Sequence, residues 1–274
     1  QRGASPCRPN AARGHARAGR LGRVRAANEG TGMIPRALVT GGTRRVGRAI
    51  ALELARAGCD LVITWRNDQS GAAEVQAAVR SMGRACELLR LDLADVARRG
   101  TDAIPRIDRL DALVLSAATW QPSAWGAMRP DQMMEQMGVN AFAPVLLAQA
   151  LQPVLSASDC PGGGSVVAVG DAHAEQVPVR GFGAYMMSKA ALHQAVRQMA
   201  VEMAPRVRVN AILPGVVAWP DSMDASVRQT ILSRVPLQRA GAPEDVARLV
   251  RFLCLEAPFI TGAAIPVDGG RSLR

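Results

Sequence analysis

From Arg36 onward, short apolar and β-branched runs alternate with longer stretches of helical period. The runs Ala37 to Thr40, Leu61 to Trp65, Cys86 to Leu91, Ala112 to Ser116, Val166 to Val169, Arg208 to Ile212 and Ala264 to Val267 are hydrophobic with few breaks, as strands buried on both faces must be. Between them, Val46 to Ala57, Ser70 to Met82, Asp131 to Leu155, Ala184 to Ala204 and Pro243 to Leu253 read as helices, and Asp95 to Asp108 as a shorter, less regular one. This alternation predicts an α/β fold: one doubly wound parallel sheet of about seven strands with helices on both faces. The Gly-rich stretch 162–164 reads as a turn before a strand, no internal repeat occurs, and no linker divides the chain after Met33.

Composition narrows this picture. A chain of 274 residues with 49% hydrophobic content can bury a full core, and no uninterrupted apolar stretch has membrane-spanning length. Cys7, Cys59, Cys86, Cys160 and Cys254 are odd in number and scattered, and His15, His173 and His193 add no ligand spacing. That excludes a disulfide framework and a zinc motif and makes a reducing cytoplasm the expected setting, with no metal. The net charge of +10 suggests nucleic acid until it is located. Arg2, Arg8, Arg13, Arg17, Arg20, Arg23 and Arg25 stand against Glu29 alone, so residues 1–32 hold more than half of it. This Gly-, Ala- and Arg-rich leader is expected to be disordered and outside the fold, with one folded domain spanning 33–274. A transit peptide fits it less well, because serine is scarce and amphipathicity weak.

Two residues stand out for chemistry. Tyr185 is the sole tyrosine and Lys189 the sole lysine, four positions apart on a predicted helix and therefore on one face. An ammonium near a phenol favours the phenolate, so Lys189 is expected to lower the Tyr185 pKa and make it a general acid/base. Ahead of them, Thr40-Gly41-Gly42-Thr43-Arg44-Arg45-Val46-Gly47 joins the first strand to the first helix. A glycine turn at a helix N-terminus lets backbone N–H groups approach a pyrophosphate. The second strand ends in Trp65-Arg66-Asn67 where an NAD site would usually place an acid; Arg66 and Arg44 suit the 2′-phosphate of NADPH, or are solvated loop charges.

Together these motifs resemble the short-chain dehydrogenase/reductase family over Arg36 to Arg274, which implies a Rossmann-like fold. The resemblance implies that Gly41, Thr43, Arg44, Arg45, Val46 and Gly47 bind cofactor phosphates, Arg66 and Asn67 the adenosine ribose, and Asp92 and Leu93 the adenine. It places Ser116, Ala117, Pro214, Gly215 and Val217 around the rest of NADPH. Lys189 would hold the nicotinamide ribose, and Asn140 would support a relay water. It also implies a homotetramer. Arg45 at the middle glycine, Asp171 where a catalytic serine usually stands, and Trp120 after the fourth strand are similar to pteridine and dihydromonapterin reductases. Ala118 departs from their usual serine, and the Asp171 to Tyr185 offset is one residue long.

An ionised aspartate accepts hydrogen bonds only, so Asp171 suits a nitrogen-rich ring with N–H donors better than a ketone oxygen. Such a ring could stack on Trp120, near Trp219, with Arg45 on its carbonyl. Trp120 also reads as a packed loop aromatic and Asp171 as a turn acid. The expected function is NADPH-dependent reduction of a pterin, catalysed by Tyr185, Lys189, Asp171 and Asn140. A short-chain carbonyl reductase and a dinucleotide-sensing module without turnover are the alternatives, and a nucleic-acid role rests on the leader alone.

Overall fold

The computed structural model describes residues 33–174, 178–219 and 223–273; the leader lies outside the described residues. The strands are β1 (Arg36–Val39), β2 (Asp60–Trp65), β3 (Cys86–Arg90), β4 (Ala112–Leu115), β5 (Gly164–Val169), β6 (Val207–Pro214) and β7 (Ala264–Val267). They form one parallel sheet in the order β3-β2-β1-β4-β5-β6-β7. The helices are α1 (Arg45–Arg56), α2 (Gln69–Ser81), α3 (Leu93–Arg99), α4 (Pro130–Met137), α5 (Ala143–Ser156), α6 (Gly183–Glu202), α7 (Ala225–Leu232) and α8 (Pro243–Leu255).

Successive strand side chains serve opposite faces, which builds two cores. Ala37, Val39, Leu61 and Ile63 pack with Ile50 and Leu54 of α1, Val75 and Val79 of α2, and Val246, Val250 and Leu253 of α8. Leu38, Val62, Leu113 and Leu115 pack on the other face with Val96 of α3, Leu147, Leu151 and Leu155 of α5, and Leu192 and Val196 of α6. Each such leucine or isoleucine contributes about 2 kcal/mol of transfer free energy.

The elements differ from expectation in three places. The helix expected over Asp131 to Leu155 is a helical path from Pro130 to Ser156 broken by a π turn, Gly138–Phe142. Pro144 has no N–H to give the carbonyl of Asn140, four residues earlier, so the α ladder cannot run through intact. By length and composition this path could cross a bilayer. Its α5 leucines are instead spent on the sheet. Asp92 caps α3 through Ala94 N–H at 2.9 Å, and after seven residues the backbone tightens into a 3₁₀ turn at Gly100–Ala103, which explains the irregular period there. Helix α7, capped by Asp224, carries no buried residue and so left no apolar stripe to read.

The buried thiols predict an alkaline weakness. Burial pushes Cys59 and Cys254 up to about 12 and Cys86 up to about 11. An unfolded chain releases these protons near pH 8.5, so the folded state binds more of them, and stability is full below about pH 8.5 and falls as pH rises towards 11–12. Lys189 opposes this with a single proton, its pKa being depressed. Thermal unfolding in reducing buffer should show a falling midpoint between about pH 8.5 and 10. A rising midpoint would contradict it.

Candidate active site

The strand order reverses between β1 and β4, and a cleft of about 940 Å³ opens at the carboxyl ends of the strands there. Its floor is tied together by threonines. Thr40 Oγ1 accepts from the N–H groups of Ser116 (2.9 Å) and Ala117 (3.0 Å), joining the ends of β1 and β4, and Thr64 Oγ1 accepts from Gly41 N–H at 3.2 Å. Gly41 has φ +64°, and a Cβ on Gly47 would stand 2.2 Å from the Gly41 carbonyl oxygen. Both positions need glycine, and the N-terminus of α1 is thereby left open to the cleft, a cradle suited to a dinucleotide's phosphates.

On the facing wall, the Tyr185 hydroxyl donates to Asp171 Oδ2 at 3.0 Å. With one extra residue in the Asp171–Tyr185 offset, the two side chains still meet. Asp171 Oδ1 accepts from the His173 backbone N–H at 2.8 Å, and His173 Nδ1 lies 3.0 Å from the same oxygen. Burial pushes the Asp171 carboxyl up, but the hydrogen bonds and electrostatic pull of His173 and the Tyr185 hydroxyl outweigh it, so its pKa lies below the usual range. Lys189, 3% exposed, donates to the Val169 carbonyl at 2.8 Å, with its ammonium 5.8 Å from the Tyr185 ring centroid. Burial pushes its pKa down to about 8, with Asp171 pulling the other way.

The expectation that Lys189 lowers the phenol pKa is corrected here. Burial first, then the Asp171 charge and hydrogen bond, hold Tyr185 well above the ordinary phenol value. The lysine's ammonium is turned to a carbonyl, while a carboxylate holds the phenol's hydrogen. The hydroxyl is therefore neutral.

The family profile described as enoyl-(acyl carrier protein) reductase matches residues 41–272. Human dehydrogenase/reductase SDR family member 4 is 34% identical over 250 residues, 87% of each chain. The chain belongs to the short-chain dehydrogenase/reductase family. Among solved members of this oxidoreductase family, FolM alternative dihydrofolate reductase 1 from Brucella canis, complexed with NADP, superposes with a TM-score of 0.78 at 32% identity, covering 88% of this chain and 94% of that one. Acetoin dehydrogenase YohF from Salmonella typhimurium gives 0.76 at 31%, covering 88% and 97%.

In this short-chain oxidoreductase the cleft is lined by Gly41, Thr43, Arg44, Arg45, Val46, Gly47, Arg66, Asn67, Asp92, Leu93, Ser116, Ala117, Trp120, Asp171, Tyr185, Lys189, Pro214, Gly215 and Val217. Two expected residues do not line it. Asn140 is buried, and its side chain is fully used: Oδ1 accepts from Thr119 N–H at 2.8 Å, while Nδ2 donates to the Thr119 carbonyl and Ser188 Oγ, each at 2.9 Å. Pro144 cannot donate to the Asn140 main-chain carbonyl. Trp219 is not among the lining residues; its ring lies 5.7 Å from the guanidinium of Arg228 on α7, a cation–π partner.

Other residues shape the site without a prior signal. Phe182 stacks on Trp120 with centroids 4.4 Å apart, leaving Trp120 half-exposed with one face covered. Arg90 lies over Trp65 and donates to the Arg66 carbonyl at 3.3 Å, steadying the Arg66 loop. Asp68 caps α2 through Gly71 N–H at 3.1 Å, so this acid beside Arg44 is occupied by backbone. No period or motif marks the Phe182 and Arg90 contacts, since they join segments far apart in the chain.

Proposed function

We propose that residues 33–274 form an NADPH-dependent reductase that passes hydride to a pterin-type substrate: a dihydropteridine, dihydromonapterin or dihydrofolate. The observation that carries the reading is the Tyr185 hydroxyl donated to Asp171 at 3.0 Å. A ketone oxygen gathers negative charge as hydride arrives and needs a hydrogen-bond donor. The ionised Asp171 carboxylate beside that phenol only accepts, and it repels negative charge developing on such an oxygen. A pterin edge, with ring N–H and amino donors, is the complementary partner.

Arg45 supports the same reading. It sits at φ +48°, a left-handed conformation that costs a side chain about 1–2 kcal/mol and that glycine adopts freely. An arginine retained there is suited to a task at the cleft, pairing with a ring carbonyl or a phosphate. The free face of Trp120 gives a flat ring something to stack on. The similarity to the Brucella dihydrofolate reductase, itself an NADP complex, points the same way.

NADPH, when bound, supplies the hydride. The Gly41–Gly47 turn and the α1 N-terminus would hold its pyrophosphate, Arg44 and Arg66 its 2′-phosphate, Asn67 the ribose beside it, and Asp92 and Leu93 its adenine. Ser116, Ala117, Pro214, Gly215 and Val217 would flank the remainder. Lys189 would bind ribose hydroxyls, and its ammonium, 5.8 Å from the phenol ring, would offset charge left on Tyr185 after proton release. Tyr185 and Asp171 together deliver the proton to a ring nitrogen. Asn140 would serve the proton's return through its main-chain carbonyl. Trp219 contributes to the loop beyond β6 rather than to stacking.

Kinetics with dihydropterins, dihydrofolate, small ketones and a 3-oxoacyl thioester, each with NADPH and NADH, test the reading. NADPH-dependent turnover of dihydropterins is the expected result. Turnover of the ketones or thioester alone would instead favour a carbonyl reductase, the reading that the acetoin dehydrogenase likeness keeps in play. Arg66→Glu should lower the preference for NADPH over NADH by about 10–100-fold, since a charge-assisted bond to phosphate contributes about 1.5–3 kcal/mol. An unchanged ratio would leave Arg66 a solvated charge. The homotetramer and cytoplasmic setting belong to the same proposal, and light scattering reads the first of them.

A further inference from the structure

Asp171 Oδ1 is held twice by one residue, from the His173 backbone N–H and from its ring. An ionised carboxylate only accepts, so the ring nitrogen facing it must be the N–H form. The backbone bond is one that any residue at 173 would supply as a tight Asx-type turn. The ring bond is what histidine adds. Its other nitrogen, Nε2, is buried without a hydrogen-bond partner among the described residues. The ring's orientation and tautomer are therefore dictated by Asp171.

The consequence falls on the opposite oxygen. A carboxylate pinned at Oδ1 by two donors cannot turn about Cβ–Cγ without breaking both, so Oδ2 stays directed at the phenol, 3.0 Å away. The backbone of Asp171 is fixed from the other side, its N–H donating to His193 Nε2 at 3.2 Å. We propose that His173 is a positioning residue for proton delivery: its ring locks the Asp171 carboxylate so that one oxygen alone receives the Tyr185 hydroxyl, giving the pair a fixed direction. The charged and titratable groups around Asp171 are Tyr185, Lys189 and His193 from α6, the last on its backbone N–H, and Arg271 from the C-terminal turn. Among the described residues, only His173 bonds Oδ1.

The catalytic consequence rests on the reductase reading, but the lock itself can be read without substrate. Tyr185 is the sole tyrosine, so protein labelled with ¹³Cζ-tyrosine gives one resonance that reports its hydroxyl's partner. With Asp171→Asn as the reference for a lost carboxylate, His173→Leu should move the resonance most of the way to the Asp171→Asn position. His173→Asn, which keeps an N–H donor near the Nδ1 position, should leave it near wild type. In turnover, His173→Leu should lose about tenfold in kcat with KM changed far less, and His173→Asn should recover most of it. A His173→Leu resonance at the wild-type position would overturn the lock, as would His173→Asn matching His173→Leu. If His173→Leu does not fold, His173→Gln takes its place, with a misplaced donor and the same expected displacement. Wild-type protein inert towards every pterin, with the resonance still displaced in His173→Leu, would sink the pterin reading and leave the lock standing.

Discussion

Tyr185→Phe should lower kcat by about 10²–10⁴-fold, the usual worth of a positioned general acid, and leave NADPH affinity almost unchanged. The hydroxyl is the only group removed, and its partner is known: Asp171 Oδ2 at 3.0 Å. Because burial and the Asp171 charge keep the phenol neutral, the proton is in place when hydride transfer begins. The ring stays to fill its buried slot, so binding of the cofactor along the Gly41–Gly47 turn is not disturbed. Fluorescence titration with NADPH and steady-state kinetics with a turned-over substrate separate the two effects. Retained function in Tyr185→Phe would favour a dinucleotide sensor over an enzyme.

Lys189→Met should be nearly as damaging, with kcat/KM for NADPH down by about 100-fold or more, since a charged hydrogen bond and a counter-charge are lost together. The pH dependence carries the diagnostic sign. Burial depresses the Lys189 pKa to about 8, so the ammonium is present below that pH and lost above it. Wild-type kcat/KM, which reports the free enzyme, should fall on the alkaline side with a midpoint near 8. The residual activity of Lys189→Met should lack that limb. Lys189→Arg should not restore it, because a planar guanidinium does not fit a slot closed at the Val169 carbonyl. A wild-type profile flat to pH 10 would show that the ammonium plays no part.

Much of this site was legible because the family's chemistry is written in short segments at strand ends. Thr40 to Gly47, Arg66, Asp92 and Pro214 each follow a strand whose apolar run is visible in the chain, and the parallel order carries all of them to one edge. The contacts across the chain were not legible. Nothing local says that Thr119 and Ser188 consume the Asn140 side chain. Nor does the spacing of Tyr185 and Lys189 reveal that the ammonium turns to Val169 while Asp171, fourteen residues earlier, takes the phenol. Same-face placement on a helix sets who is near; the loop after β5 decided who bonds to whom. Trp219 was misplaced for the same reason, since its Arg228 partner belongs to a helix with no apolar stripe.

A chain with a single lysine, sealed within its own cofactor cleft, presents no side-chain amine to its surroundings. Succinimidyl labels, glutaraldehyde and amine-coupled sensor chips have no side-chain handle on the folded molecule. Acylation of Lys189, scored by mass, becomes a clock for cleft opening that a resident nucleotide should slow.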